Sequence, residues 1–199
     1  MKPGLAAATA AEQSAALCAI ARDSGWFMQA LRAAREVLPG PWCIGAGAVR
    51  NLVWDHLQGL ARPSALSDID AVFFDPAELS SARDARLQGR LAALAPDLPW
   101  EVTNQAGVHL WFEASFGHAV EPLRSLEEAV ASWPEYATAV GLRMEPDDAL
   151  TVIAPLGLED LLAMRVRRNP RRVSLASYRQ RLAQKDYARR WPGVRIEPA

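Results

Sequence analysis

Lysine is nearly missing from this 199-residue chain: of its 22 basic residues only Lys2 and Lys185 are lysine, the rest arginine. A GC-rich genome produces the same bias, so it carries no functional weight by itself. Cysteine is scarce too. Cys18 and Cys43 are too few for a disulfide framework and do not stand at metal-ligand spacing, so a reducing cytoplasm is the plain expectation. The three histidines, His56, His109 and His118, are scattered and predict no zinc site. No uninterrupted apolar run approaches transmembrane length, so no membrane is expected as a partner. Near the start, Glu12 and Gln13 fall where a signal peptide needs its apolar centre, and the segment reads as a disordered start followed by a helix.

What is present suits one globular unit. Half of the residues are hydrophobic, enough to bury a sizeable core. The expected organisation is a single domain over 1–199, with a core at about 25–160 and a basic helical extension at about 161–199. The formal net charge of −1 hides a strong polarity. Residues 1–160 carry 11 basic against 21 acidic residues, whereas residues 161–199 carry 11 against 2.

Apolar spacing over 11–37 predicts one or two helices with a break near Asp23-Ser24-Gly25, stopped by Leu38-Pro39-Gly40-Pro41. Trp42-Cys43-Ile44 reads as a buried strand, 48–57 as a helix, and 69–74 as a second strand. A helix over 77–95 and a strand from Trp100 to Thr103 follow. Strand, helix, strand, helix, strand argues for an α+β or α/β-like domain with a mixed sheet flanked by helices. Further on, Ser125 caps a short helix, with Glu128 at the capping-box position. Segments 137–144 and 150–154 flank a Glu-Pro-Asp-Asp turn and predict a β-hairpin. Helices are expected over 157–167 and 178–190.

One stretch, CIGAGAVRNLVWDHLQGLARPSALSDIDAVFFD at 43–75, carries the chemistry. Asp68 and Asp70 stand two residues apart at the head of an apolar strand and so leave the same face. Two carboxylates that close repel unless a cation lies between them or the strand entry faces water. Magnesium suits all-oxygen ligation by one or two carboxylates plus substrate phosphates. Gly45-Ala46-Gly47 sits between a strand and a helix, where backbone N–H groups can approach a phosphate. Alone it is ordinary turn chemistry. Together, the glycine turn, a helix with an early Arg50 and Asp-x-Asp in the next strand supply a phosphate cradle and a metal site on neighbouring elements.

The pattern GAGAVRN…SDID resembles the head of the DNA-polymerase-β-type nucleotidyltransferase superfamily, especially the Gly-Gly-x-Val-Arg-Asp plus Asp-x-Asp pattern of tRNA CCA-adding enzymes. Over about 25–192 the chain is similar to a bacterial nucleotidyltransferase-like family of unknown substrate. That likeness rests on AGAVRNLVWDHL, SDIDAVFFD, WEVTNQAGVH, SWPEYATAVGLRM and APLGLEDLLAMRVRRNP. The resemblance implies a nucleotidyltransferase fold and transfer of a nucleoside monophosphate from a nucleoside triphosphate to a hydroxyl acceptor of unknown identity, a small molecule or a protein. It implies magnesium or manganese at Asp68 and Asp70, and phosphates positioned by Gly45, Gly47, Arg50 and Ser67. It also implies a third carboxylate on a later strand, as metal ligand or as base for the acceptor. Glu101 is the candidate, against its reading as an exposed strand residue. Ala46 stands where the CCA-adding pattern has its first Gly, and Asn51 where it has Asp; the latter argues against the RNA-polymerising subgroup.

Asn104, Gln105 and His109 form a polar group after the third strand, suited to acceptor or base recognition or to a structural hydrogen-bonded cluster, and the weight falls on the second. Arg165, Arg167, Arg168, Arg171 and Arg172 bracket Asn169-Pro170. They read best as a basic tail packed on the acidic body, with Arg167 and Arg168 the phosphate contacts if any. The tryptophans are dispersed and read as packing rather than as a binding stripe; nucleic acid is not the expected partner. The alternative to an enzyme is a catalytically silent nucleotide-binding or protein-interaction module on the same fold. Glu101 discriminates: joined to Asp68 and Asp70 it favours catalysis, and turned away it favours the silent module.

Overall fold

The computed structural model describes residues 4–198. Two helices, α1 (Ala10–Arg22) and α2 (Gly25–Val37), precede the first strand. The break between them falls at the Ser24 cap, whose side chain accepts from Phe27 N–H. The expected disordered start falls partly on residues 1–3, outside the described residues; from Leu5 to Ala7 the chain forms a 3-10 turn tied down by Gln13 Nε2, which donates to Ala6 O at 3.1 Å.

Strands β1 (Trp42–Gly45), β2 (Ile69–Phe73), β3 (Trp100–Asn104), β4 (Gly141–Met144) and β5 (Leu150–Ile153) form one sheet. Its order is β3-β2-β1-β4-β5. The β2–β3 pair is parallel and the others antiparallel. Helix α3 (Ala46–Leu57) links β1 to the loop before β2, and α4 (Ser81–Leu94) makes the crossover from β2 to β3. The 145–148 turn joins β4 and β5 as the expected hairpin.

Alternation along the strands separates two faces. Ile69, Ala71 and Phe73 are fully buried with Trp100 and Val102 in the main core against the helices. Val72 and Cys43 point the other way, into a smaller cluster with Leu126, Val130 and Ile153. Helices α5 (His109–Phe116) and α6 (Leu126–Val130) cover part of that second face. The rest stays open above Asp70 and Glu101.

Two expectations need correction in the C-terminal part. The helix expected over 157–167 is only α7 (Glu159–Leu162). Met164 turns left-handed at φ 51°, and Arg165–Val166 becomes strand β6, pairing in parallel with β7 (Arg195–Ile196). Strand spacing lets Arg165 and Arg167 both reach buried Asp160, at 2.6 and 2.9 Å. The last basic helix starts earlier than expected as α8 (Leu175–Lys185), capped by Ser174. It breaks at Asp186, φ 45°, before α9 (Tyr187–Arg190).

The extension ends in the core. Trp191 is fully buried, donates from Nε1 to Asp55 Oδ1 at 2.8 Å, and meets Trp54 edge to face at 5.2 Å. Trp191→Ala removes a large buried ring, which costs about 3–5 kcal/mol. Urea unfolding followed by circular dichroism should show one transition, shifted to lower denaturant. A separate early transition with the core midpoint unchanged would contradict folding of 1–199 as one unit.

Candidate active site

The turn after β1 is set by close packing. A methyl group on Gly45 would stand 2.4 Å from the Trp133 indole and 2.9 Å from Val140 O. Ala46 then takes φ 49°, the left-handed region that disfavours a side chain by roughly 1–2 kcal/mol. Its N–H donates to Val140 O at 3.1 Å. This is the position where the resembling pattern carries glycine, the residue that adopts a positive φ without strain. No side chain caps the N-terminus of α3, which leaves the N–H groups after Ala46, those of Gly47 and Ala48, without a capping side chain. A methyl on Gly47 would lie 3.9 Å from Asp68 Oδ1 and 3.7 Å from Arg50 Nη2. The first turn of α3 thus lies beside Asp68 at Gly47, where a methyl group would make only ordinary contacts.

Asp70 and Glu101 are register partners in the parallel β2–β3 pair, so both project from the same face. Asp70, Glu101 and Ala46 line one cavity of about 670 Å³. Burial pushes the Asp70 carboxyl up to about 7, and the neighbouring charges of Asp68 and Glu101 add to it, while Arg181 and Lys185 oppose. Ser67 Oγ donates to Asp68 Oδ2 at 3.2 Å.

Among the described residues, no three His, Cys, Asp or Glu side chains are gathered closely enough to hold a metal by themselves. Asp68 and Asp70 nevertheless offer oxygen donors only, with acidic charge held together. Two carboxylates completed by phosphate oxygens is a ligand set suited to magnesium. The pair thus fits a cation that arrives with a nucleotide.

Other expected contacts lie elsewhere. Arg50 is 2% exposed and turned from the cavity: its Nε and Nη2 donate to Asn51 Oδ1 and its Nη1 to Tyr187 Oη at 3.3 Å. The guanidinium lies 5.0–5.7 Å from the rings of Trp54, Tyr187 and Trp191. Asn104 is spent on structure, its amide donating to Asp75 O and Glu78 O and its Oδ1 accepting from Asp75 N and Ala106 N. Gln105 does line the cavity, whereas half-buried His109 does not. Arg167 pairs with Asp160 and stacks 4.0 Å from the Tyr136 ring centroid. Arg168 donates to Val173 O. Neither arginine lines the cavity, although Arg168 holds Val173, which does.

The facing wall went unread in the sequence. Ser177, Gln180, Arg181 and Gln184, spaced for one side of α8, line the cavity with Trp133, Thr138 and Arg172. Arg181 Nε donates to buried Glu135 Oε1 at 2.8 Å, and Tyr187 Oη donates to the same oxygen at 2.7 Å. Burial acts against the Arg181 charge, but Glu135 outweighs it and holds the pKa above the ordinary arginine value. The signal available in the sequence was the basic extension itself, opposite an acidic body. Trp111 also departs from the packing reading, since it lies on the cavity and is 44% exposed.

A mixed sheet with a tight turn into α3 beside an Asp-x-Asp strand is the nucleotidyltransferase head fold. The model of a nucleotidyltransferase family matches residues 32–196, and the chain belongs to that family. An NMR structure that reveals a CCA-adding enzyme head domain is similar at 29% identity and TM-score 0.75, covering 89% of this chain and 92% of that one. A tRNA-processing enzyme in an apo form is more distant, at 19% identity and TM-score 0.47, with 84% of this chain and 44% of that one covered. None of the curated proteins matches the chain. Among the described residues no helix is long and apolar enough to cross a membrane.

The Asp70 shift sets a pH signature. The folded state keeps this proton up to about pH 7, whereas the unfolded chain releases it near 3.8. Stability therefore falls as pH rises between those values and is flat above them. Asp70→Asn removes the slope: with chelator present, its melting temperature should exceed wild type at pH 8 and match it near pH 4. Parallel curves for the two proteins across that range would contradict the buried, uncompensated carboxylate.

Proposed function

We propose that the protein is a magnesium-dependent transferase that moves a nucleoside monophosphate from a nucleoside triphosphate to a hydroxyl acceptor. The observation that carries this reading is the placement of the Asp68–Asp70 pair against the uncapped N-terminus of α3, with Gly47 between them. That arrangement offers carboxylates for a cation and backbone donors for a phosphate side by side, where Asp70 and Ala46 line the cavity. Asp68 and Asp70 would hold magnesium or manganese, which when bound supplies neutralisation of the triphosphate charge.

The chain's own groups do the remainder. N–H groups around Gly47, with Ser67 beside Asp68, orient the phosphates. Arg181 and Lys185 raise the positive potential across the cleft; burial lowers the Lys185 pKa, and Arg181 adds to that. Glu101 receives the acceptor proton as the acceptor oxygen bonds to the α-phosphorus. The bond from that phosphorus to the bridging oxygen of the β-phosphate breaks, and pyrophosphate leaves. Positioning and charge are most of this catalysis. Glu101, on the face of Asp70 and lining the same cavity, supports the enzyme over a silent nucleotide-binding module.

Calorimetric titration of the four nucleoside triphosphates, with and without magnesium, tests the reading. Binding should require magnesium and weaken by at least tenfold in Asp68→Asn/Asp70→Asn, because two ligands are lost. Equal binding by wild type and the double variant would overturn it.

A further inference from the structure

The cavity does not end at the carboxylates. Beyond Glu101 it passes Thr103 and Gln105 to reach Trp111, Phe112 and Phe116 of α5. Large aromatic rings are usually covered, yet Trp111 and Phe116 remain 44% and 49% exposed. The three rings form one cluster, with Phe112 and Phe116 centroids 4.5 Å apart and Trp111 stacked at 6.3 Å from Phe112. Phe112, 9% exposed, anchors it in a small core with Val108, Leu123 and Ala129. An anchored cluster with two open rings is a stacking platform that none of the described residues covers.

Arg172 borders this platform, its guanidinium 5.9 Å from the Phe112 ring. It lines the cavity and donates from Nη2 to Glu121 O, while its Nη1 is buried and has no hydrogen-bond partner among the described residues. Glu128, the acid that acts on it, is instead paired with Arg124 and Arg171. The platform therefore has a cation at its edge whose charge is not matched by a carboxylate.

The order of elements decides which substrate lies here. The phosphate-binding turn follows β1, Asp70 is on β2, Glu101 is on β3, and α5 lies beyond β3. An attacking oxygen and a leaving pyrophosphate are roughly in line across the α-phosphorus. With pyrophosphate held toward α3, the acceptor must enter from the Glu101 side, which is the side of α5.

We infer that the α5 wall is the acceptor subsite and takes a nucleotide, with its base stacked on Trp111 and bordered by the tilted Phe116 ring, a ribose hydroxyl beside Glu101, and its phosphate at Arg172. The inference rests on the nucleotidyl-transfer reading of the acid pair. The step it adds is balanced: the ribose oxygen bonds to the α-phosphorus of the donor, its proton passes to Glu101, and pyrophosphate departs. The product is two nucleosides joined through a phosphate.

The test is titration of adenosine 5′-monophosphate into the full chain with magnesium and a saturating non-hydrolysable triphosphate analogue, read by calorimetry and tryptophan fluorescence. Adenosine monophosphate should bind and quench. Base stacking is worth roughly 1–3 kcal/mol, so Trp111→Ala should weaken binding about tenfold or more, and Trp111→Phe should retain most of it. Arg172→Gln should weaken the monophosphate but leave adenosine unchanged, a split that loss of packing would not produce. Equal binding by wild type and Trp111→Ala would overturn the inference. So would displacement of the monophosphate by the analogue, or binding of glucose 6-phosphate as tight as that of the nucleotide. Failure of wild type to bind the analogue would instead sink the underlying reading, and the monophosphate titration without analogue would still decide the stacking claim.

Discussion

The fully buried carboxylate of Glu135 ties the two oppositely charged parts of the chain together across the candidate site. Glu135 has no solvent exposure, and it is satisfied by Arg181, Tyr187 and Thr138. Tyr187 in turn accepts from Arg50. The network thus joins the segment before β4, helix α3, and both C-terminal helices. Removing one partner of a buried ion pair costs about 3–5 kcal/mol, because the other is left uncompensated. The cleft depends on this, since α8 is its second wall and Arg181 is both the network donor and a cavity residue. Electrostatic satisfaction of Glu135 and construction of the site are therefore one constraint.

Close packing imposes the other geometric condition. Trp133 presses on Gly45 and leaves no room for a side chain there, while Ala46 accepts a strained left-handed backbone immediately afterwards. Strain kept beside an Asp-x-Asp strand is consistent with a turn held in shape for ligand contact. On the opposite face the same strands bury Ile69, Ala71 and Phe73. Period-two alternation thus anchors β2 on one side and lifts Asp70 into the cleft on the other.

Much of this was legible in the residues. Strand and helix order through β3 and the hairpin at 141–153 follow from periodicity and turn chemistry, whereas the shared face of Asp70 and Glu101 rests on the register between β2 and β3, a long-range pairing that parity along one strand leaves open. Arg50 was misread because its partners, Tyr187 and Trp191, lie about 140 residues away in sequence, and no local pattern announces a cation enclosed by distant rings. Asn104 is a turn cap, in line with the structural reading favoured for it. The helix over 157–167 failed because Met164 turns left-handed, which apolar spacing does not reveal. Trp111 was indistinguishable from core tryptophans until α5 was placed at an edge of the cleft. Long-range pairing and exposure decide these cases, and neither is a property of a short window.

The central claim is that Asp68 and Asp70 hold a divalent cation together with the phosphates of a nucleotide at the start of α3. A crystal structure with manganese and a non-hydrolysable nucleoside triphosphate analogue, read by anomalous scattering, tests it directly. The account predicts a manganese peak between the two aspartates, with phosphate oxygens completing its ligands and lying against the N–H groups around Gly47. A peak elsewhere, or an analogue seated away from this turn with both aspartates free, would contradict it.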